Sequence, residues 1–399
     1  MADSRIVFYP VGNGSMTLLQ VDNRSILFDI NILGASEENG DYEVVEDLEE
    51  ALKKCEVKDG HPVVDVFIQS HADNDHINGF QEYFFEEDEP ENLTANDKKD
   101  ERKKIFIREI WCSDRFRKYD TDGYSMGDDA KAFRREVKRR IDKFNAGNVS
   151  DGNRVKILGD CLDEGDDEAI PDGVRKGIGE TINIGGTSCL LAEVRGPIKQ
   201  QKGNDDEEYN EKDEDYTGSK NRSSLIIRFA ITLTDIWGTS RTIHILMGDD
   251  TEWFVWKSLD HKGLKSELSY DLLLAPHHAS WHTLSEDSAT DDEDPKVDKG
   301  AKRALSHKKD NAIIVISAKA KDKETDESKL AGRELSVAEY ESIVGKGNIF
   351  NPNEIPNSDA PQPLEFALTS RGLQMQPVRS AAPASVAATS TVGQTYPHG

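Results

Sequence analysis

No stretch of this 399-residue chain approaches the ~18 consecutive apolar residues of a membrane span, so no membrane partner is expected. The opening residues, "MADSRIVFYPVGNGSMTLLQ", lack a basic region followed by an apolar core, and no signal peptide is expected. The four cysteines, Cys55, Cys112, Cys161 and Cys189, are scattered and form no C-x-x-C pair. That excludes a cysteine zinc site and a disulfide framework and suits a reducing cytoplasm, the expected location. The glycines of "VGNGS" are followed by no G-K-[ST], so they read as a turn and not as a phosphate loop. There is no internal repeat. Basic residues are the minority: 50 Lys and Arg stand against 76 Asp and Glu, a formal charge of −26. Such a charge opposes non-specific adhesion to nucleic acid or anionic membrane. It leaves a nucleic-acid substrate open, because a bound dication or a basic strip reverses the field locally.

What the chain does have is a series of aliphatic runs. "RIVFYPV", "MTLLQV" and "SILFDI" read as strands of a hairpin or meander with a turn at Asp22-Asn23-Arg24. Residues 41 to 54 show helical spacing at Val44, Leu48, Ala51 and Leu52. "PVVDVFIQS" is a continuous apolar strand, and "GFQEYFF" a short helix. "RSSLIIRFAITL", "RTIHILMGDD", "YDLLLAPHH" and "NAIIVISA" are further strands, "SVAEYESIV" a short helix, and "PLEFALTSRGLQMQPV" a final pair of strands. Polar insertions are expected at about 86–150, 199–221 and 285–311, inside one domain spanning 1–378. The Ala/Ser/Thr/Pro-rich residues 379–399 read as a disordered tail. Residues 128 to 144 form an amphipathic helix, and from Lys131 to Lys143 it carries seven basic and two acidic residues.

Chemistry is expected where the runs stop. "IQSHADNDH", "ILMGDD" and "LLLAPHH" each place carboxylates or imidazoles directly after buried aliphatic residues. Such groups are costly beside a core unless they are paired or bind metal. Carboxylate plus imidazole ligation suits zinc or manganese. There are more candidate ligands than one tetrahedral zinc needs, so one or two divalent ions, Zn2+ or Mn2+, are expected.

These residues resemble the metallo-β-lactamase fold, and within it the nuclease domains of the ComEC-type competence branch. The family motif H-x-[HD]-x-D-H stands here as His71-x-Asp73-x-Asp75-His76. "VGNGSMTLLQV" followed by "ILFDI" is similar to the branch's opening strands, "NRSSLIIRF" to its N-N-x-S-L strand at Asn221 and Ser224, and "LLLAPHHAS" to its late H-H-G-S at His277-His278. The resemblance covers roughly residues 5 to 318 and implies an α/β, four-layer αββα sandwich. By the same resemblance His71 and Asp73 hold one metal, Asp75, His76 and one of the His277/His278 pair, with His278 favoured, hold another, and Asp249 bridges the two. His277 then faces the substrate, and Asp29 orients a ligand from behind. The sequence departs from the family in three places. No histidine stands between His76 and His244, Ala279 replaces the usual glycine, and "NIFNPNEIPNSDAP" lacks the usual late histidine. The first metal is therefore ligand-poor, or completed by water or Asn221. His282, four residues after His278, is a further candidate; His244, inside a strand, reads as structural.

The implied reaction is hydrolysis by a metal-activated water, with Asp73 or Asp75 orienting it and His277 serving the leaving group. The resemblance favours a phosphodiester, DNA or another nucleic acid. The basic helix and the run Lys296 to Lys309 offer backbone contacts. Two other readings stay open: a hydrolase of a small ester, lactone or thioester, and a non-catalytic metal-binding subunit that docks a protein partner, for example in a defence complex, through its acidic or basic insertions.

Overall fold

The computed structural model describes residues 4–32, 44–58, 60–86, 104–114, 116, 126–160, 170–186, 188–198, 221, 224–263 and 267–378. Two sheets face each other. In the first, Arg154–Leu158, Phe106–Ser113, His61–Gln69 and Arg24–Phe28 run parallel. Thr17–Val21, Arg5–Phe8, Leu364–Thr369 and Gly372–Met375 then continue it antiparallel. The second repeats the plan. Thr181–Asn183, Leu190–Gly196, Ile226–Thr234 and Ser240–Met247 are antiparallel, and Tyr270–Leu274 and Lys308–Val315 extend it in parallel.

Parallel neighbours need crossovers, and those crossovers form the outer layers. Helices Val44–Lys53 and Asp128–Asn145 cover the first sheet, and Trp253–His261, Lys299–Leu305 and Glu327–Val344 cover the second. Side chains alternate between the layers, as the period of two along a strand requires. Ile26 and Phe28 point between the sheets, where they meet Ile227, Phe229, Ile245 and Leu272, while Leu27 points to the helices outside. This is the four-layer αββα sandwich that the resemblance implied.

Several expectations move. Within 104–150, two described parts belong to the sandwich itself and are not an insertion: "FIREIWCS" is the strand Phe106–Ser113 inside the first sheet, and the helix Asp128–Asn145 packs on that sheet. The charged residues that disguised this strand are paired. Arg108 is buried against Asp65 at 2.6 Å and Asp151 at 2.9 Å, with Glu56 as a third partner. In the stretch 285–311, the helix Lys299–Leu305 buries Ala301, Ala304 and Leu305 against the second sheet. The short helix expected at "SVAEYESIV" is the end of an 18-residue helix, Glu327–Val344. The expected insertion at 87–103, the loop at 199–220, the tail at 379–399, Cys161 and helix residues 41–43 lie outside the described residues. Among the described residues, no helix is long and apolar enough to cross a membrane.

Candidate metal centre

Five parallel strands, two from the first sheet and three from the second, end at one place. Asp29 follows Arg24–Phe28, Ser70 to His76 follow His61–Gln69, Asp249 and Asp250 follow Ser240–Met247, His277 and His278 follow Tyr270–Leu274, and Ser317 follows Lys308–Val315. Carboxyl ends of parallel strands are the usual place for a site in such sheets. Here two sheets contribute, so the site spans the open rim of the sandwich. The glycine turn closes in from the side. Ser15 N donates to Asp75 O at 3.1 Å, and a Cβ on Gly14 would stand 2.6 Å from that same oxygen.

The histidines are held by their Nδ1 atoms. His71 Nδ1 meets Asp249 Oδ2 at 2.7 Å. His76 Nδ1 lies 3.1 Å from Asp29 Oδ2 and 3.0 Å from Asp249 Oδ1. His278 Nδ1 donates to the carbonyl of Ser317 at 2.7 Å. Ser70 ties the back of the site together: its N and Oγ reach Asp29 at 2.8 and 2.6 Å, and its Oγ also contacts Asp249. Each Nε2 is thereby aimed forward, the arrangement that buried carboxylate and carbonyl partners impose on metal-binding histidines.

What the Nε2 atoms face is Asp250. His76 Nε2 and His278 Nε2 are 3.2 Å apart, and each is 3.3 Å from Asp250 Oδ1. Two donors bound at about 2.05 Å to a tetrahedral ion stand about 3.3 Å apart, so these three atoms form one face of such a site. Asp75 Oδ2 completes the group at 3.6 Å from His278 Nε2 and 3.9 Å from His76 Nε2. On the other oxygen, Asp250 Oδ2 lies 3.6 Å from His71 Nε2 and 3.9 Å from His277 Nε2, and Asp73 Oδ2 is 3.5 Å from His71 Nε2. Buried His71 Nε2, Asp250 Oδ1 and His277 Nδ1 make no hydrogen bond among the described residues. Buried polar atoms are rarely left so, and a cation at this point would satisfy the first two.

Electrostatics agree. Burial and the neighbouring His76 press His71 down, yet the Asp249 carboxylate outweighs them and raises it to about 10. Burial opposes charge on His76 as well, but Asp249, Asp250 and Asp75 lift it well above its ordinary value. Burial would raise Asp250, but the adjacent His278, His76 and His277 hold it far below the usual carboxylate range. The cluster of acids thus demands cations. Without a metal the imidazoles supply that charge by binding protons.

The backbone is strained at the same residues. Among the described residues, positive φ at non-glycine positions occurs at Asp29, Asp249, His277, His278 and Ala279, and elsewhere only at Asp22, Asn23 and Asn311. Such conformations concentrate where function needs them.

All the residues expected at the site converge, but their places are not all as expected. Asp249, expected to bridge two metals, lies behind His71 and His76 on their Nδ1 side. Asp250 occupies the space between the Nε2 atoms. The sequence signal was present in the "GDD" doublet, which does not say which carboxylate turns inward; the positive φ of Asp249, 42°, decides it. Asp29 does sit behind a ligand. Asn221 donates to Glu252 at 3.2 Å. His244 contacts Lys309 and lies 3.8 Å from Asp271, in keeping with a structural role. His282 is exposed and lines the pocket described next.

The centre opens into a pocket of about 600 Å3. Asp73, Asp75, Asp250, His277 and His278 line it as a floor, and Ser328, Lys329 and Arg333 of helix Glu327–Val344 line one of its walls. The two basic features singled out in the sequence are largely occupied elsewhere. Arg140 of the helix is buried against Glu136 and three backbone carbonyls, and Arg139 also pairs with Glu136. In the second run, Lys296, Lys302, Arg303 and Lys309 pair with Asp294, Glu339, Asp260 and Asp271.

No known family's sequence profile matches the chain, and no curated protein matches it. Solved structures similar to it include the metallo-β-lactamase fold protein YhfI from Bacillus subtilis, at 11% identity over 88% of this chain and 96% of that one, with a TM-score of 0.33. A mutant of the CmlA β-hydroxylase is similar at 10% identity over 87% of this chain and 52% of that one, with a TM-score of 0.38. The metallo-β-lactamase MIM-1 from Novosphingobium pentaromativorans is similar at 12% identity over 85% and 90%, with a TM-score of 0.28. Likeness at these scores carries no weight by itself; the sandwich and the converging strand ends do.

Proposed function

We propose that this protein is a metal-dependent hydrolase whose substrate is a phosphodiester, in nucleic acid or a fragment of it. The observation that carries the reading is the convergence of His76 Nε2, His278 Nε2 and Asp250 Oδ1 into a triangle of 3.2 and 3.3 Å edges. His76, His278, Asp250 and Asp75 would hold one ion. His71, Asp73 and the second Asp250 oxygen would hold the other, with His277 near enough to assist. A divalent ion there supplies Lewis-acid charge and lowers the pKa of water to about 7.

The residues themselves do the rest. Asp73 and Asp75 are partly exposed on the pocket floor, so either can orient a water and accept its proton. Burial pushes the His277 pKa down, so its ring is neutral at pH 7. A neutral imidazole has one N–H and one lone pair. It can bind a phosphoryl oxygen or pass its proton to the leaving oxygen. Asp249, Asp29 and Ser70 hold the histidine rings in place. The phosphodiester reading is supported by the resemblance to the competence nucleases and by the presence of Lys329 and Arg333 in the lining of the same pocket.

The test is metal content of protein purified without chelator or tag metal, together with hydrolysis of bis-p-nitrophenyl phosphate in added Mn2+ or Zn2+. One to two ions per chain with turnover is the expected result. Asp250→Asn should lose both, and Asp249→Asn should lose about 10- to 100-fold in affinity or rate, as a residue behind the ligands does. Turnover of lactones or thioesters alone would move the substrate to that class. Absent metal and absent turnover would leave a docking subunit.

A further inference from the structure

The pocket is larger than one phosphoryl group needs, and Lys329 and Arg333 are among the residues that line it. Its volume of about 600 Å3 falls within the ~300–1,000 Å3 of small-molecule sites. Lys329 and Arg333 stand one helical turn apart on Glu327–Val344, the i, i+4 spacing that places two side chains on one face. Gly332, between them, keeps the wall open: a Cβ there would stand 3.4 Å from Trp281 and 3.6 Å from Ala289. Arg333 is fixed by Glu324 at 3.4 Å and by the carbonyl of Lys319. Lys329 is exposed to the pocket and forms no direct ion pair with a described residue. The acidic groups around the pair are Glu324 and Asp326, which feel the Lys329 charge, Glu324 and Glu354 beside Arg333, and Asp291 in the pocket lining.

Resting on the phosphodiesterase reading, we propose that Lys329 and Arg333 form a subsite for a second, terminal phosphate, and that the substrate is a short phosphodiester of dinucleotide size or the phosphorylated end of a strand. The scissile phosphate lies over the floor and the terminal one against the wall. The whole-molecule charge fits this choice. A duplex carries a charge every ~1.7 Å and would bring all of it against a chain of −26, whereas a short ligand places its few charges only where cations meet them.

The experiment uses the full chain loaded with Mn2+. Binding by calorimetry and hydrolysis are measured for a thymidine dinucleotide with and without a 5′-phosphate, and for a ten-nucleotide strand with and without it. The expected result is about tenfold tighter binding and lower KM for the phosphorylated dinucleotide. That preference should fall to about onefold in Lys329→Ala and survive in Lys329→Arg. The same preference in the ten-mer assigns the source to strand ends; its restriction to the dinucleotide assigns it to free short ligands. Equal binding with and without the phosphate, or a preference that Lys329→Ala keeps, overturns the subsite. Bis-p-nitrophenyl phosphate lacks a second phosphate, so its turnover together with no preference would break this inference and leave the hydrolase standing. Phosphate-dependent binding with no turnover of any diester would do the reverse.

Discussion

At the scale of single residues, the site is a set of costs that its surroundings offset, and that a bound cation would offset further. Ala279 is fully buried with φ 60°, the third left-handed residue in a row after His277 and His278. An L-residue there costs roughly 1–2 kcal/mol, while glycine loses roughly 0.4–1 kcal/mol through the unfolded chain and about 0.8 kcal/mol of buried methyl. Ala279→Gly should therefore change stability by less than about 1 kcal/mol in either direction. Ala304→Gly, in the helix Lys299–Leu305 and equally buried, should lose about 1–2 kcal/mol; urea midpoints compare the two. Equal losses would mean that position 279 is not strained. The histidines make a second prediction. With its folded pKa raised from 6.5 to about 10, metal-free His71 is protonated at pH 7, and a metal must displace that proton. Metal uptake should release protons, and apparent affinity should rise with pH until about 10 and level off above it. Calorimetry in buffers of different ionisation heat measures the release; heats independent of buffer would contradict it.

At the scale of elements, helix Glu327–Val344 does two jobs. Its buried side, through Ser336, Tyr340 and Ile343, covers the second sheet, and its first turns wall the pocket. Gly332 lies in its interior, where glycine costs roughly 0.5–1 kcal/mol relative to alanine. The added Cβ would make only ordinary contacts. Gly332→Ala should thus raise stability by about 0.5–1 kcal/mol, read from the urea midpoint, while narrowing the pocket; a loss would show that the space is tighter than it looks. This helix was legible only in its last half, because "SVAEYESIV" carries the apolar spacing, while "ESKLAGREL" turns mostly polar residues to solvent and to the cavity. The strand "FIREIWCS" escaped for a related reason. Its charges are cancelled by Asp65, Asp151 and Glu56 from other segments, and no local pattern announces a partner some 40 residues away. The strands with unbroken aliphatic runs were plain.

At the scale of the whole molecule, the metal centre joins the two sheets: Asp29, His71, Asp75 and His76 come from one, and Asp250, His277 and His278 from the other. An ion bound there stabilises the folded state by about 4 kcal/mol when its free concentration is a thousand times its dissociation constant. Chelation should lower the thermal midpoint by several degrees, and Asp250→Asn should abolish that sensitivity. An unchanged midpoint in the parent protein would mean that no ion bridges the sheets. The sequence by itself determined the fold class and the set of ligand-bearing strand ends. Aliphatic runs dictate buried strands, and polar ligands directly after them can lie only at the rim. Tertiary structure alone decided the division of roles. Asp249 and Asp250 are adjacent and chemically identical, and the fold sets the first against the Nδ1 atoms of His71 and His76 and the second against the Nε2 atoms of His76 and His278. It also decided that Arg139 and Arg140 of the basic helix are spent on Glu136 and backbone carbonyls, and it brought Lys329 into the lining of the pocket beside the site. Charge is written in the sequence, but its availability depends on which partners the fold brings within reach.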